Sequence, residues 1–220
     1  TNTRQKANVS VVKKDSDTDN PLDGGKYTLY AGNDIKNYDG QVIVTKGTAL
    51  QTVTTGEDGT ANYSVDLPIA NSYYISESQA PYAYYRNQTD VYSFTFNYLS
   101  QNMASASFSH TFKNDRTTAK IHIYKVDKET GEAVPQGDAK LSGAVYGLYA
   151  RENIVHPDGA TGIIFKAGDL VATLTTDENG ECEVNNLYLG KYYVKEITPS
   201  EGYLLDEDEH EVVCDYEGDL

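Results

Sequence analysis

Polar and apolar residues alternate along much of this 220-residue chain. Val9, Val11 and Lys13 share one parity and Ser10, Val12 and Lys14 the other; Ile121, Ile123 and Lys125 repeat the arrangement. A period of two predicts half-buried strands. Residues 91–98 read VYSFTFNY, a run of aromatic and β-branched types suited to a pleated sheet. Asp39-Gly40, Asp58-Gly59 and Asn179-Gly180 mark turns between such runs. No stretch sustains a helical period with caps. Short strands with frequent turn signals predict two-sheet sandwiches of about seven strands each.

The pattern occurs twice. Residues 9–15 align with 121–127 at an offset of 112, and Tyr27-Thr28-Leu29-Tyr30-Ala31 aligns with Tyr146-Gly147-Leu148-Tyr149-Ala150 at 119. Thr54-Thr55 and Asp58-Gly59 match Thr175-Thr176 and Asn179-Gly180 at 121, and Tyr73–Glu77 matches Tyr192–Glu196 at 119. The offset changes only between blocks, as loop insertions would make it. Asn2, Arg4 and Ala7 align with Asn114, Arg116 and Ala119, so residues 1–6 read as a linker or the tail of a preceding copy. The first unit is then 7–116 and the second 117–220. Asn114 would map beyond Leu220, so the second unit is expected to lack its last strand, and the chain to be a piece of a longer tandem array.

Composition narrows the function classes. The net charge is −15, with 18 basic and 33 acidic residues. Nucleic acid and anionic membrane surfaces both call for a basic face, so neither is an expected partner. The charge is uneven: residues 1–116 hold 10 basic and 12 acidic residues, whereas 117–220 hold 8 and 21. No apolar run is long enough for membrane insertion. Two cysteines do not make a disulfide framework.

The informative residues break the strand pattern. Lys13 and Lys125 stand at the inward parity of their strands, where a charge is costly unless neutralised or paired. Glu77 and Glu196 follow the aromatic pairs Tyr73-Tyr74 and Tyr192-Tyr193, and Asn114 shares one face with Phe108 and Phe112. The bland alternative is a snorkelling lysine and a solvated strand-end glutamate; recurrence at aligned positions argues against it. Lys14 competes for the lysine role with the wrong parity. Burial disfavours the charged forms of Lys and Glu alike. A neutral lysine amine is a nucleophile. A buried carboxyl can polarise an Asn amide and relay a proton to departing ammonia. The product is a Lys–Asn isopeptide crosslink between the first and last strands.

These motifs resemble the B-type (Cna-B) repeat domains of Gram-positive surface adhesins and the SpaA-like domains of sortase-assembled pilins. The resemblance rests on Lys13-Lys14-Asp15 and Lys125-Val126-Asp127; on Leu29-Tyr30-Ala31 and Leu148-Tyr149-Ala150; on Glu77 with Pro81 and Tyr84, and Glu196 with Pro199, Gly202 and Tyr203; and on Phe112-Lys113-Asn114-Asp115. It implies an all-β chain of two tandem transthyretin-like (prealbumin-like, inverse immunoglobulin) sandwiches. It also implies a spontaneous bond from Lys13 to Asn114 assisted by Glu77. Lys125 and Glu196 are the second-unit counterparts, without a matching acceptor; Asn185 and Asn186 lie mid-unit and do not fit.

The implied role is a structural stalk or shaft segment on the outside of a Gram-positive cell, held in a wall-anchored adhesin or pilus whose anchor is not in this segment. Its partners would be neighbouring domains of the same surface protein. The competing role is a ligand-binding adhesin module that takes host matrix protein or glycan through the loops 32–41, 97–105 and 151–162. A transthyretin-like hydrolase would need a catalytic set that is not recognisable, so no enzyme activity beyond single-turnover self-modification is expected.

Other candidates weigh less. Asp15, Asp17 and Asp19 are spaced like the start of a calcium loop, but Asn20 and Lys26 stand where glycine and glutamate are required. His110, His122, His156 and His210 show no metal-ligand spacing, so neither metal nor cofactor is expected. Residues 206–209 read as a solvated acidic loop. Cys182 and Cys214 both face the core by parity, which leaves two buried thiols or a disulfide open.

Overall fold

The computed structural model describes residues 3–218, so Asn2 and Leu220 lie outside the described residues. The chain is all β and divides into two compact units, with the boundary between Arg116 and Thr117. Each is a sandwich.

Unit 1 contains β1 (Lys6–Asp15), β2 (Lys26–Ala31), β3 (Ile35–Lys36), β4 (Val42–Val44), β5 (Ala49–Thr54), β6 (Thr60–Tyr63), β7 (Asn71–Gln79), β8 (Val91–Phe96) and β9 (Ser105–Asn114). One sheet has the order β6-β1-β9 and the other β5-β2-β7-β8; β3 and β4 form a small separate hairpin. The sequence predicts about seven strands, and the two additional ones are this hairpin, too short to give a periodic signal. β1 pairs in parallel with β9 over ten residues, from Lys6↔Ser105 to Asp15↔Asn114. Alternation along β1 places Val9, Val11, Lys13 and Asp15 inside. The core between the sheets includes Tyr27, Leu29, Tyr73, Ile75, Phe96 and Phe112.

Unit 2 repeats the plan with β10 (Ala119–Tyr124), β11 (Val145–Ala150), β12 (Ile154–Val155), β13 (Ile163–Phe165), β14 (Leu170–Thr175), β15 (Glu181–Leu187), β16 (Gly190–Thr198) and β17 (Glu209–Cys214). Its larger sheet has the order β14-β11-β16-β17. Its smaller sheet has two strands, β10-β15: among the described residues nothing takes the place that β9 holds in unit 1. The repeat extends to irregularities. Register shifts at Leu29/Tyr30 and Lys26/Tyr27 recur at Leu148/Tyr149 and Val145/Tyr146.

The two cysteines are not joined; both thiols are free. Cys182 pairs with Ile123 near the Lys125 end of β10, whereas Cys214 pairs with Gly190 at the start of β16. Glu196, which marks the Lys125 end, lies further along that same strand by about 20 Å at ~3.4 Å per residue. Parity puts both thiols toward the core, but at opposite ends of it. Burial pushes both thiol pKa values up.

Candidate functional site

Three strands bring Lys13, Glu77 and Asn114 together. On the parallel pair β1–β9, Lys13 stands opposite Phe112 and Asp15 opposite Asn114, so Lys13 and Asn114 are diagonal neighbours on one face. Glu77 reaches them across the core from β7. All three are buried, and the side chains of Lys13 and Glu77 are 0% and 1% exposed.

Glu77 is the hub. Asn114 Nδ2 donates to Oε1 at 2.8 Å and to Oε2 at 2.9 Å. The Tyr27 hydroxyl donates to Oε1 at 2.9 Å, and the Asn87 backbone N–H donates to Oε2 at 2.9 Å. Lys13 Nζ stands 3.6 Å from Oε1, beyond hydrogen-bond range. Lys13 Nζ and Asn114 Oδ1 are both buried without a hydrogen-bond partner. Such groups are rare in folded proteins. Burial lowers the Lys13 pKa to about 8, against the opposing pull of the Glu77 charge. The amine therefore loses its proton far more readily than an ordinary lysine.

The surroundings lock the lysine strand. Lys13 N–H donates to the Gly59 carbonyl at 2.7 Å. Gly59 has φ +71°, and a Cβ there would collide with the Lys13 carbonyl oxygen. The Asp58-Gly59 turn, legible in the sequence as a turn, is thus also the seat of Lys13. Asp15 accepts the N–H groups of Asp17 and Thr18 at 2.7 and 2.9 Å, and its other oxygen accepts the Tyr84 hydroxyl at 2.6 Å. Asp19 pairs with Lys14 at 2.6 Å and with Lys113 at 2.8 Å, joining two lysines that lie opposite each other on β1 and β9. These contacts hold the Asp19 pKa near 2. Two of the three carboxylates that suggest a calcium loop, Asp15 and Asp19, are thus engaged by protein donors. A cleft of about 430 Å³ adjoins the site, lined by Ser16, Tyr85, Arg86, Asn87, Lys113, Asn114 and Asp115.

Unit 2 has the same parts without the amide. Lys125 Nζ donates to Glu196 Oε1 at 2.9 Å, and the Asp206 N–H donates to Oε2 at 2.8 Å. Lys125 N–H is held by the Gly180 carbonyl at 2.8 Å, and Tyr203 takes the place of Tyr84 in bonding the aspartate two residues past the lysine, Asp127. Among the described residues no Asn side chain bonds Glu196, and its lysine closes to a full ion pair. Asn185 is on β15 and donates to Glu183, so it does not serve this pair.

Residues 7–109 and 119–220 each match the SpaA prealbumin-like fold domain family. The chain belongs to that family. Among solved structures, the Bacillus anthracis TIE protein superposes with a TM-score of 0.62 at 21% identity, over 98% of this chain and 32% of its own. The chain thus spans about a third of that protein. The Streptococcal ancillary pilin aligns at 18% identity and a TM-score of 0.41, over 98% of this chain and 60% of its own. The shaft pilin SpaA from Lactobacillus rhamnosus GG aligns at 18% and 0.38, over 97% and 94%. No curated protein matches the chain. Both SpaA-like units have the prealbumin-like sandwich that the motif pattern implies. Among the described residues no helix is long and apolar enough to cross a membrane.

Proposed function

We propose that this chain is a load-bearing segment of a Gram-positive surface adhesin or pilus shaft, and that unit 1 crosslinks itself between Lys13 and Asn114. The observation that carries the reading is a buried amine and a buried amide, both incompletely bonded, on either side of one carboxyl group. In an ordinary sandwich this arrangement only costs stability.

The chemistry follows from the contacts. Neutral Lys13 Nζ attacks Asn114 Cγ, forming a C–N bond. Glu77 takes a proton from Nζ and delivers it to Nδ2, which already lies on both carboxyl oxygens. The Cγ–Nδ2 bond breaks and one ammonia leaves by the adjoining cleft. Holding the groups in contact supplies a high effective concentration. The orientation of the amide, with nitrogen rather than oxygen toward Glu77, favours the relay role over polarisation of the carbonyl. The bond would tie the first strand to the last, so tension on the chain ends would pass through it and bypass the fold between Lys13 and Asn114.

The test is intact-mass measurement. The chain should be lighter than its sequence by one ammonia, and Lys13→Ala should have full mass. A full-mass wild type would sink the crosslink.

A second reading, ligand binding, is favoured by one feature. The predicted loop 97–105 contributes Tyr98 and Met103 to a cleft of about 580 Å³ with Arg4 and Ile69. Binding to a glycan or matrix-protein array that is lost in Tyr98→Ala would favour it.

A further inference from the structure

Each carboxyl at the centre of these units faces a tyrosine on the neighbouring strand. Tyr27 stands directly opposite Glu77 on the β2–β7 pair, and Tyr146 directly opposite Glu196 on β11–β16. In both pairs a register shift immediately precedes the tyrosine, at Lys26/Tyr27 and Val145/Tyr146. Such a bulge re-aims the side chains beside it. The Tyr27 hydroxyl donates to Glu77 Oε1 at 2.9 Å, and the Tyr146 phenol stands close enough to Glu196 for the carboxylate charge to raise its pKa. Burial, with the carboxylate charge adding to it, raises the pKa of both phenols, so each hydroxyl remains a donor at any physiological pH.

The second carboxyl oxygen is held just as consistently. A backbone N–H ten residues beyond each glutamate, from Asn87 or Asp206, donates to Oε2. In unit 1 the two fixed donors, Tyr27 on one oxygen and the Asn87 N–H on the other, set the carboxyl plane. Tyr27 also packs its ring on Phe112 at 4.6 Å between centroids, and Phe112 lies two residues before Asn114 on β9. One side chain therefore touches both the proton-relaying group and the strand that delivers the amide.

Resting on the crosslinking reading of unit 1, we infer that Tyr27 is a positioning residue for that reaction, holding Glu77 in the plane that faces both Lys13 Nζ and Asn114 Nδ2, and that Tyr146 is its counterpart in unit 2. Without the hydroxyl, Oε1 keeps only the mobile amide of Asn114 as a hydrogen-bond donor, and the carboxyl can rotate out of the plane that places both of its oxygens on Nδ2 at 2.8 and 2.9 Å. A carboxyl turned out of that plane relays the proton to the departing nitrogen less readily.

The test follows the reaction as the chain is made. The full chain is synthesised by cell-free translation and quenched at intervals, and intact mass reports the fraction that has lost ammonia. Tyr27→Phe should slow the loss by about tenfold to a hundredfold, the usual worth of a hydrogen bond to a charged group. Placing 4-aminophenylalanine at position 27 restores an N–H donor and should recover most of the rate. Tyr63→Phe is the matched control. It removes another buried hydroxyl, one that donates to the Tyr27 carbonyl at 3.0 Å and does not touch Glu77, and it should leave the rate near wild type. Equal rates in Tyr27→Phe and wild type overturn the inference. So does equal slowing by Tyr27→Phe and Tyr63→Phe, or failure of the amino analogue to rescue, since either would make the effect one of packing. A wild type that never loses ammonia overturns the crosslinking reading itself, a separate result.

Discussion

Lys13 and Asn114 lie one diagonal step apart on the parallel strands β1 and β9, and both point at Glu77. Parallel pairing of the first and last strands of the unit is what makes them neighbours. Everything the site can do chemically depends on that register, since a one-residue slip would turn Asn114 to the outer face.

A covalent Lys13–Asn114 tie closes a loop of about 100 residues, for which chain entropy gives a stabilisation on the order of 4–5 kcal/mol. Lys13→Ala and Asn114→Ala should therefore each lower the thermal midpoint of unit 1 sharply. Calorimetry of the two-unit chain should show the unit 2 transition unmoved.

The pH dependence has a definite sign. In Asn114→Ala, Lys13 stays an amine, with a folded pKa near 8 against 10.5 in the unfolded chain. Burial is the largest cause; Glu77 from β7, Asp90 ahead of β8 and Asp15 on β1 oppose it. Between those values the unfolded chain holds a proton that the folded chain has released. Stability should then rise from pH 8 to 10.5 by something on the order of 3 kcal/mol, and this contribution is absent below pH 8. Urea titrations across that range check it. Crosslinked wild type, in which Lys13 is an amide, should lack the slope.

In unit 2, Glu196→Gln leaves Lys125 buried without its counter-charge. It should cost about 3–5 kcal/mol. Adding Lys125→Met should recover most of the loss, because the uncompensated charge is then gone. Denaturant unfolding of the single and double variants gives the coupling. Additive losses would mean the pair is not energetically linked.

Gly59→Ala should destabilise unit 1 by about 2–3 kcal/mol, from the left-handed backbone and the displaced Lys13 carbonyl together. It should also slow ammonia loss. Gly56→Ala is the contrast, because a Cβ there meets no atom closer than 3.7 Å.

Under force the two units should differ. Pulling on the chain ends should give one unfolding event in wild type, from unit 2, and two in Lys13→Ala. Two events in wild type would contradict a tied unit 1.

Much of this was readable in the chain. Alternation gave the parity of Lys13 and Lys125, and the duplicated blocks gave the two units and their corresponding residues. The short β3–β4 hairpin was not readable, because two- and three-residue strands carry no period. Nor were the free thiols: parity turns Cys182 and Cys214 inward but is blind to which end of the core each reaches.

The sequence by itself determined which side chains face inward, because a strand's period of two is a local property of the backbone. It also determined that a Lys and a Glu recur in both units and that Asn114 has no counterpart before Leu220. Only the tertiary structure decided that β1 and β9 run side by side in parallel and that Tyr27 grips Glu77. It also decided that the glycine of the Asp58-Gly59 turn seats the lysine. Those relationships join residues far apart in the chain, and they are fixed by sheet pairing and core packing, which no local pattern encodes.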